Sequence, residues 1–373
     1  VLKVMTIVGT RPELIKMSRV IAEFDRHTQH VLVHTGQNYD YELNRVFFED
    51  LGIREPDHFL EAVGDNAAQT IARVIEKADA VLEQEKPDAV MLYGDTNSCL
   101  AVIAAKRRKI PVFHMEAGNR CFDQNVPEEL NRKVLDHLSD INLVLTEHAR
   151  RYLLAEGIRP ETIFKTGSHM REVLDYYMPR IQQSQILQTL QLEEKKFFVV
   201  SLHREENVDS PQALSALLDT LNALAKTYGL PVIVSTHPRT RKRLDAHDVQ
   251  ALDPLIRFLK PFGFTDYVRL QMQALCVLSD SGTITEETSL LNLRAITLRT
   301  AHERPEGMDA GTLIMSGLNS ERVLDAVRVT IAENAVHTPV EDYEHQGAVS
   351  QQVLRIVLSY VDYVNQRVWR KPS

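Results

Sequence analysis

Short apolar runs alternate with longer amphipathic stretches along almost the whole chain. Lys3 to Val8 is the first run, and Leu14, Ile15, Met17, Val20 and Ile21 follow it at helical spacing. Thr10 and Glu13 stand in capping-box relation, so a helix begins between them. His30 to His34, Ala89 to Tyr93, Val112 to Met115 and Ile141 to Leu145 read as further strands, with helical segments between them. Runs apolar on both faces belong to a parallel sheet. The pattern then restarts with Phe197 to Leu202, Pro231 to Ser235, Ile256 to Leu259, Cys276 to Leu278 and Ala295 to Leu298. The predicted fold class is therefore α/β, with two doubly wound Rossmann-like domains facing a cleft. The join falls near Thr166-Gly167-Ser168, which gives an N-terminal domain over 1–167 and a C-terminal domain over 168–356. A long amphipathic helix, about Val349 to Trp369, closes the chain.

Composition narrows the function. A chain of 373 residues with 44% apolar and 25% charged residues has material for a core in each of two domains. The formal charge of −8 argues against nucleic acid, because affinity for a phosphate backbone needs a basic surface. Any phosphate would be recognised locally. Cys99, Cys121 and Cys276 are an odd number without paired spacing, which suits a reducing compartment and no disulfide framework. No apolar run approaches the roughly 18 residues of a membrane span, and no signal peptide opens the sequence, so a cytoplasmic protein is expected.

Open parallel sheets bind ligands outside the carboxyl ends of their strands. In the first half these ends are Gly9-Thr10-Arg11, Gly94-Asp95-Thr96 and His114-Met115-Glu116-Ala117-Gly118, with Pro127-Glu128-Glu129 opening the next helix. In the second half they are Ser201-Leu202-His203-Arg204-Glu205, Ser235-Thr236-His237-Pro238-Arg239 and Asp280-Ser281-Gly282-Thr283-Ile284-Thr285-Glu286-Glu287. The first half gathers carboxylates, and the second gathers His, Arg and helix N-termini. That division implies acid/base chemistry facing an anion-binding wall. The Asp280 to Glu287 turn offers amide N–H groups to a phosphate and a carboxylate to a ribose hydroxyl. Each residue also has a plain structural reading: Asp95 as a helix cap, Glu116 as a buried partner of Arg120, Glu128 and Glu129 as charges favouring their helix N-terminus, His203 as a core histidine. No His-Glu-x-x-His or Cys-x-x-Cys supports a metal site. The chain also lacks Gly-x-Gly-x-x-Gly, a Walker A sequence and Gly-x-Ser-x-Gly, against the dehydrogenase, phosphate-hydrolase and esterase readings.

These motifs carry a family resemblance. Gly9 to Lys16, Gly94-Asp95-Thr96, His114 to Gly118, Pro127 to Arg132, His203-Arg204-Glu205, Asp280-Ser281-Gly282 and Glu303-Arg304-Pro305-Glu306 resemble, in order and spacing, the non-hydrolysing UDP-N-acetylglucosamine 2-epimerases. The resemblance implies a GT-B-like fold whose last helix, 357–373, packs back on the first domain, a homodimer, a UDP-sugar substrate and no cofactor. It implies that UDP leaves carbon 1 as the carbon 2 proton is removed, and that a 2-acetamidoglycal is then protonated on its other face and recaptured by UDP. By the matched motifs, Asp95, Glu116 and Glu128 are the implied catalytic carboxylates and His203 the implied cation beside the pyrophosphate. Arg11 and Lys16 match first-domain contacts to the nucleotide. Ser281, Gly282 and Thr283 match the phosphate turn, Glu287 the ribose ligand, Tyr267 a residue near the uracil, and Arg304 a substrate contact. Which carboxylate removes the proton and which returns it stays open.

Departures from the family pattern refine the expectation. Thr283 stands where a second glycine is usual, so a side chain enters the turn and a flexible position is lost. Asn119-Arg120-Cys121-Phe122-Asp123-Gln124 replaces the usual continuation after Glu-Ala-Gly. The segment Thr35 to Glu42 differs from the version with which some members build an allosteric site. With Ala301 to Met308, these features are similar to the branch that converts UDP-2-acetamido-2,6-dideoxy-L-talose to UDP-N-acetyl-L-fucosamine for capsule or O-antigen synthesis. UDP-N-acetylglucosamine is the alternative substrate. A GT-B glycosyltransferase, a hydrolysing relative and a non-catalytic nucleotide-sugar sensor stay open as other readings.

Overall fold

A computed structural model describes residues 1–36, 48, 51–202, 210–236, 252–332, 339–344 and 347–371. The chain divides into two compact units, Val1–Val173 with Asp342–Ser373, and Leu174–Glu341.

The first unit runs β1 (Lys3–Val8), α1 (Arg11–His27), β2 (Gln29–His34), β3 (His58–Phe59), α2 (Ala67–Glu85), β4 (Ala89–Tyr93) and α3 (Val102–Arg107). It continues with β5 (Val112–Met115), α4 (Pro127–Leu138), β6 (Ile141–Val144), α5 (Glu147–Ala155) and β7 (Ile163–Lys165). Helix α6 (Met170–Gln183) follows, and the division between the units falls inside it. The strands are ordered β3-β2-β1-β4-β5-β6-β7 and pair in parallel throughout. The sheet grows from β1 outward through β2, and the chain then returns to lay β4 on the other side of β1. A crevice opens where two neighbouring strands send their connections in opposite directions, so the carboxyl ends of β1 and β4 are the place for a ligand in this unit. All five residues of β4 are buried, which is why that strand reads as a continuous apolar run.

The second unit runs α7 (Ile186–Leu190), β8 (Phe198–Leu202), α8 (Pro211–Tyr228), β9 (Val232–Thr236), β10 (Ile256–Leu259), α9 (Phe264–Gln273) and β11 (Cys276–Ser279). After these come α10 (Ile284–Leu291), β12 (Ala295–Thr297), α11 (Pro305–Ala310), β13 (Ile314–Met315) and α12 (Ser320–Ala332). The order β10-β9-β8-β11-β12-β13 is again wholly parallel and reverses between β8 and β11. The last helix, α13 (Val349–Arg367), returns to the first unit and lies against α1. Val353, Val357, Val361 and Val364 form its buried stripe at helical spacing.

Three strands escaped the sequence reading: β3, β7 and β13. Each has only two or three residues and lies at an edge of its sheet, where one side needs no partner and the apolar run can be short.

Candidate functional site

At the first switch point, the end of β1 is tied to the end of β4 by one carboxylate. Glu13 closes the capping box by accepting from the Thr10 N–H at 2.7 Å, and the same oxygen accepts from the Gly9 N–H at 2.8 Å. Its other oxygen accepts from the Thr96 hydroxyl at 2.8 Å. Burial pushes the Glu13 carboxyl above its usual pKa despite these donors. Arg11 opens the helix and is partly exposed, and Lys16 lies one turn further on, 8% exposed.

Glu116 follows β5 directly, with φ of 61°, a left-handed conformation that a non-glycine residue adopts only when its surroundings hold it. Two donors hold it: Lys16 Nζ donates to Glu116 Oε2 at 3.0 Å, and the Tyr93 hydroxyl donates to the same oxygen. Lys16 Nζ also lies 5.3 Å from the centre of the Tyr93 ring. Glu116 is therefore not the partner of Arg120. Asp95 is not a cap either; Thr96 precedes the 3-10 turn Asn97–Ala101, and Asp95 accepts from Arg132 Nε at 2.9 Å. The paired glutamates at the start of α4 divide. Glu129 is buried, bonded to Arg132 and to the N–H groups of Cys121 and Phe122, whereas Glu128 is partly exposed.

Beneath these groups lies a charged framework that sequence reasoning missed. Asp136, fully buried on α4, accepts from the Gly118 N–H at 3.1 Å and from Arg120 Nη1 at 2.7 Å. Its other oxygen lies 2.9 Å from His114 Nδ1, and His114 Nε2 lies 2.7 Å from the Gly94 carbonyl. With Asp136 ionised both partners of the ring are acceptors, an arrangement that favours hydrogen on both ring nitrogens and so the imidazolium form. Burial opposes that charge, but Asp136 and the Gly94 carbonyl outweigh it and raise the pKa. Arg120 also makes a two-pronged contact with Glu156, 2.8 Å on each arm. One carboxylate thus fastens the Asp95 loop, the Glu116 loop and the helix that carries Glu128. Gly118, with φ of 81°, completes the fit, because a Cβ there would lie 2.6 Å from the Ala149 carbonyl oxygen.

The second switch point carries the Ser281 to Glu287 turn. Ser281 and Thr283 hydroxyl oxygens are 3.0 Å apart, and the Thr283 hydroxyl donates to Glu287 Oε1 at 3.0 Å. Gln271 Nε2 donates to Glu287 Oε2 at 2.7 Å. Thr283 enters the turn without backbone strain: its φ of −78° and ψ of −13° are right-handed helical values open to any residue. At Gly282 a Cβ would meet Glu303 Oε1 at 2.2 Å, so a side chain there would have to displace the Glu303 carboxylate. Arg304 holds the turn from behind, donating to the Gly282 carbonyl at 2.9 Å and pairing with Glu286 at 2.9 Å. A small pocket beside the turn is lined among others by Ser281, Arg299, His302 and Arg304. Tyr267, on α9, is hydrogen-bonded to Ser201 at the end of β8, and burial beside Glu287 raises its pKa. His203, with Arg204, Glu205, His237 and Arg239, lies outside the described residues, as does most of the Thr35 to Glu42 segment. Among the described residues, no cluster of three His, Cys, Asp or Glu side chains is placed to hold a metal ion.

The first switch point can exchange protons through carboxylates, and the second can take an anion on amides beside a carboxylate. Residues 22–358 match the family model described as UDP-N-acetylglucosamine 2-epimerase. The chain belongs to this family. It is a UDP-sugar 2-epimerase, an isomerase with two parallel-sheet Rossmann-like domains. The solved structure of UDP-N-acetylglucosamine 2-epimerase from Rickettsia bellii is 62% identical, with a TM-score of 0.94, over 99% of this chain and all of that one. The Methanocaldococcus jannaschii UDP-GlcNAc 2-epimerase, solved in complex with UDP-GlcNAc and UDP, is 31% identical, with a TM-score of 0.89, over 96% of this chain and all of that one. UDP-2,3-diacetamido-2,3-dideoxy-D-glucuronate 2-epimerase of Pseudomonas aeruginosa is 32% identical over 89% of this chain and 93% of its own. Among the described residues no helix is long and apolar enough to cross a membrane.

Proposed function

We propose that this epimerase inverts carbon 2 of UDP-2-acetamido-2,6-dideoxy-L-talose to give UDP-N-acetyl-L-fucosamine for capsule or O-antigen synthesis. The reaction runs by loss of UDP to a 2-acetamidoglycal, protonation on the opposite face and recapture of UDP. A carbon 2 hydrogen has no neighbouring carbonyl to acidify it, so departure of UDP must accompany its removal.

Glu116, Asp95 and Glu128 exchange the proton and stabilise positive charge on the sugar, each acid/base group contributing about 10²- to 10⁴-fold. Ser281, Gly282 and Thr283 receive the pyrophosphate, Glu287 the ribose and Tyr267 the uracil side, while Arg11, Lys16, Arg304 and His203 supply positive charge. The observation that carries this reading is the seating of Glu116 at the first switch point, in a left-handed backbone under two donors, Lys16 and Tyr93. We read the enzyme as a cytoplasmic homodimer; Phe122 and Leu130, 71% and 69% exposed, are apolar side chains that a second copy would cover.

The choice of the L-sugar rests on the chain's own sequence after Gly118 and around Thr283. A second reading, interconversion of UDP-N-acetylglucosamine and UDP-N-acetylmannosamine, draws on the names of the Rickettsia and Methanocaldococcus relatives. Incubation of the purified enzyme with each UDP-sugar, with product analysis by chromatography and NMR, separates them. Conversion of the talose derivative with little action on UDP-N-acetylglucosamine is expected; the reverse pattern overturns the substrate assignment.

A further inference from the structure

The hydroxyl groups of the second switch point form a chain whose direction the structure fixes. A carboxylate accepts hydrogen bonds and donates none, so the Thr283 proton is committed to Glu287 Oε1, 3.0 Å away. The 3.0 Å contact between Ser281 and Thr283 must then be a donation by Ser281. The Thr283 N–H points back at Ser281 Oγ at 3.3 Å. Gln271 donates to the other oxygen of Glu287 at 2.7 Å, so the carboxylate is held from both sides. The relay reads Ser281 to Thr283 to Glu287, with Gln271 closing it.

We propose that Thr283 is a positioning residue that couples recognition of the diphosphate to recognition of the ribose in a nucleoside diphosphate. This rests on the assignment of the turn to a UDP group. A phosphate oxygen arriving at Ser281 accepts, so the Ser281 proton turns away from Thr283 and toward the ligand. Thr283 keeps its donation to Glu287 Oε1, so the carboxylate stays aimed by Thr283 and Gln271 and ribose hydroxyls meet an acceptor already held in place. A glycine at this position could make neither contact. Thr283 costs nothing in backbone terms, because its right-handed φ and ψ suit any residue.

The test is calorimetric binding of UDP and of inorganic pyrophosphate to the full chain carrying Thr283→Val, Thr283→Ser, Glu287→Gln, or Thr283→Val with Glu287→Gln. Thr283→Val should weaken UDP about tenfold, the scale of one lost hydrogen bond to a charged group, and pyrophosphate less than threefold. Thr283→Ser should stay within about threefold of the native affinity for UDP, since it keeps the hydroxyl. In the Glu287→Gln background Thr283→Val should add almost nothing. Thr283→Ala provides the same reading if the valine disturbs the turn. Equal losses on both ligands, or fully additive losses on UDP, would overturn the coupling and leave Thr283 a structural residue. Unchanged UDP affinity in Thr283→Val overturns it too, while failure of the native chain to bind UDP overturns the site assignment itself.

Discussion

Replacing Arg120 with Met should do more damage than its distance from any substrate suggests. Arg120 is 1% exposed and donates at 2.7 Å to Asp136 and at 2.8 Å on two arms to Glu156. Methionine fills much of the volume but leaves Asp136 fully buried beside His114 and without its guanidinium partner. Removing one member of a buried ion cluster costs about 3–5 kcal/mol, because the remaining charge is stranded. For a unit of this size that lowers the first thermal transition by roughly 10 °C. The pH dependence gives an independent reading. Arg120 and His137 hold the Glu156 carboxyl at about 2, below its ordinary 4.5. The folded pKa is the lower one, so this stabilisation is fully present above about pH 4.5 and is lost as the pH falls toward 2. It amounts to about 3 kcal/mol at most. The native and Arg120→Met proteins should therefore differ most at neutral pH and converge in acid. The assay is amide hydrogen exchange in β5 and α4 with thermal unfolding between pH 3 and 7, because a chain of two units does not unfold as one. A difference below about 1 kcal/mol at pH 7, or one that widens below pH 4, would refute this reasoning.

Two further perturbations act closer to the site. Tyr93→Phe keeps the buried ring but removes a donor to Glu116, and should lower kcat about 10- to 100-fold with the thermal transition nearly unchanged; native kcat would show that the hydroxyl has no part in positioning Glu116. Gly118→Ala forces a Cβ to 2.6 Å from a backbone carbonyl in a left-handed conformation, and should cost about 2–4 kcal/mol of stability together with most of the activity. Retention of both in that variant would mean that the Glu116 loop is not fixed by this contact.

The fold was legible because parallel strands buried on both faces are continuous apolar runs. β4 and β5 appear in the structure at the residues the pattern marks. The short edge strands were not legible, since two or three residues carry no periodicity. Carboxylates at strand ends were visible as such, but what each one does was not. Glu128 and Glu129 are adjacent in sequence, yet only the fold shows that Glu129 faces inward to Arg132. Asp136 was missed because it looks like a solvated residue. The available signal was the stripe Glu129, Arg132, Asp136 at i, i+3 and i+7, charged where an amphipathic helix should be apolar, and all three are buried. Tyr93 ends an apolar strand run and its ring is buried; its hydroxyl acquires a role only beside the left-handed backbone of Glu116, which no local sequence pattern announces.

The proposed reaction requires the carbon 2 proton to leave and return while UDP stays bound. Proton NMR of the enzyme in D₂O with UDP-2-acetamido-2,6-dideoxy-L-talose, and separately with UDP-N-acetylglucosamine, follows that proton directly. Deuterium should enter carbon 2 of the talose derivative, with the L-fucosamine product appearing and no build-up of free UDP. Accumulating UDP and free sugar without exchange, or no exchange with either substrate, would contradict the proposed reaction.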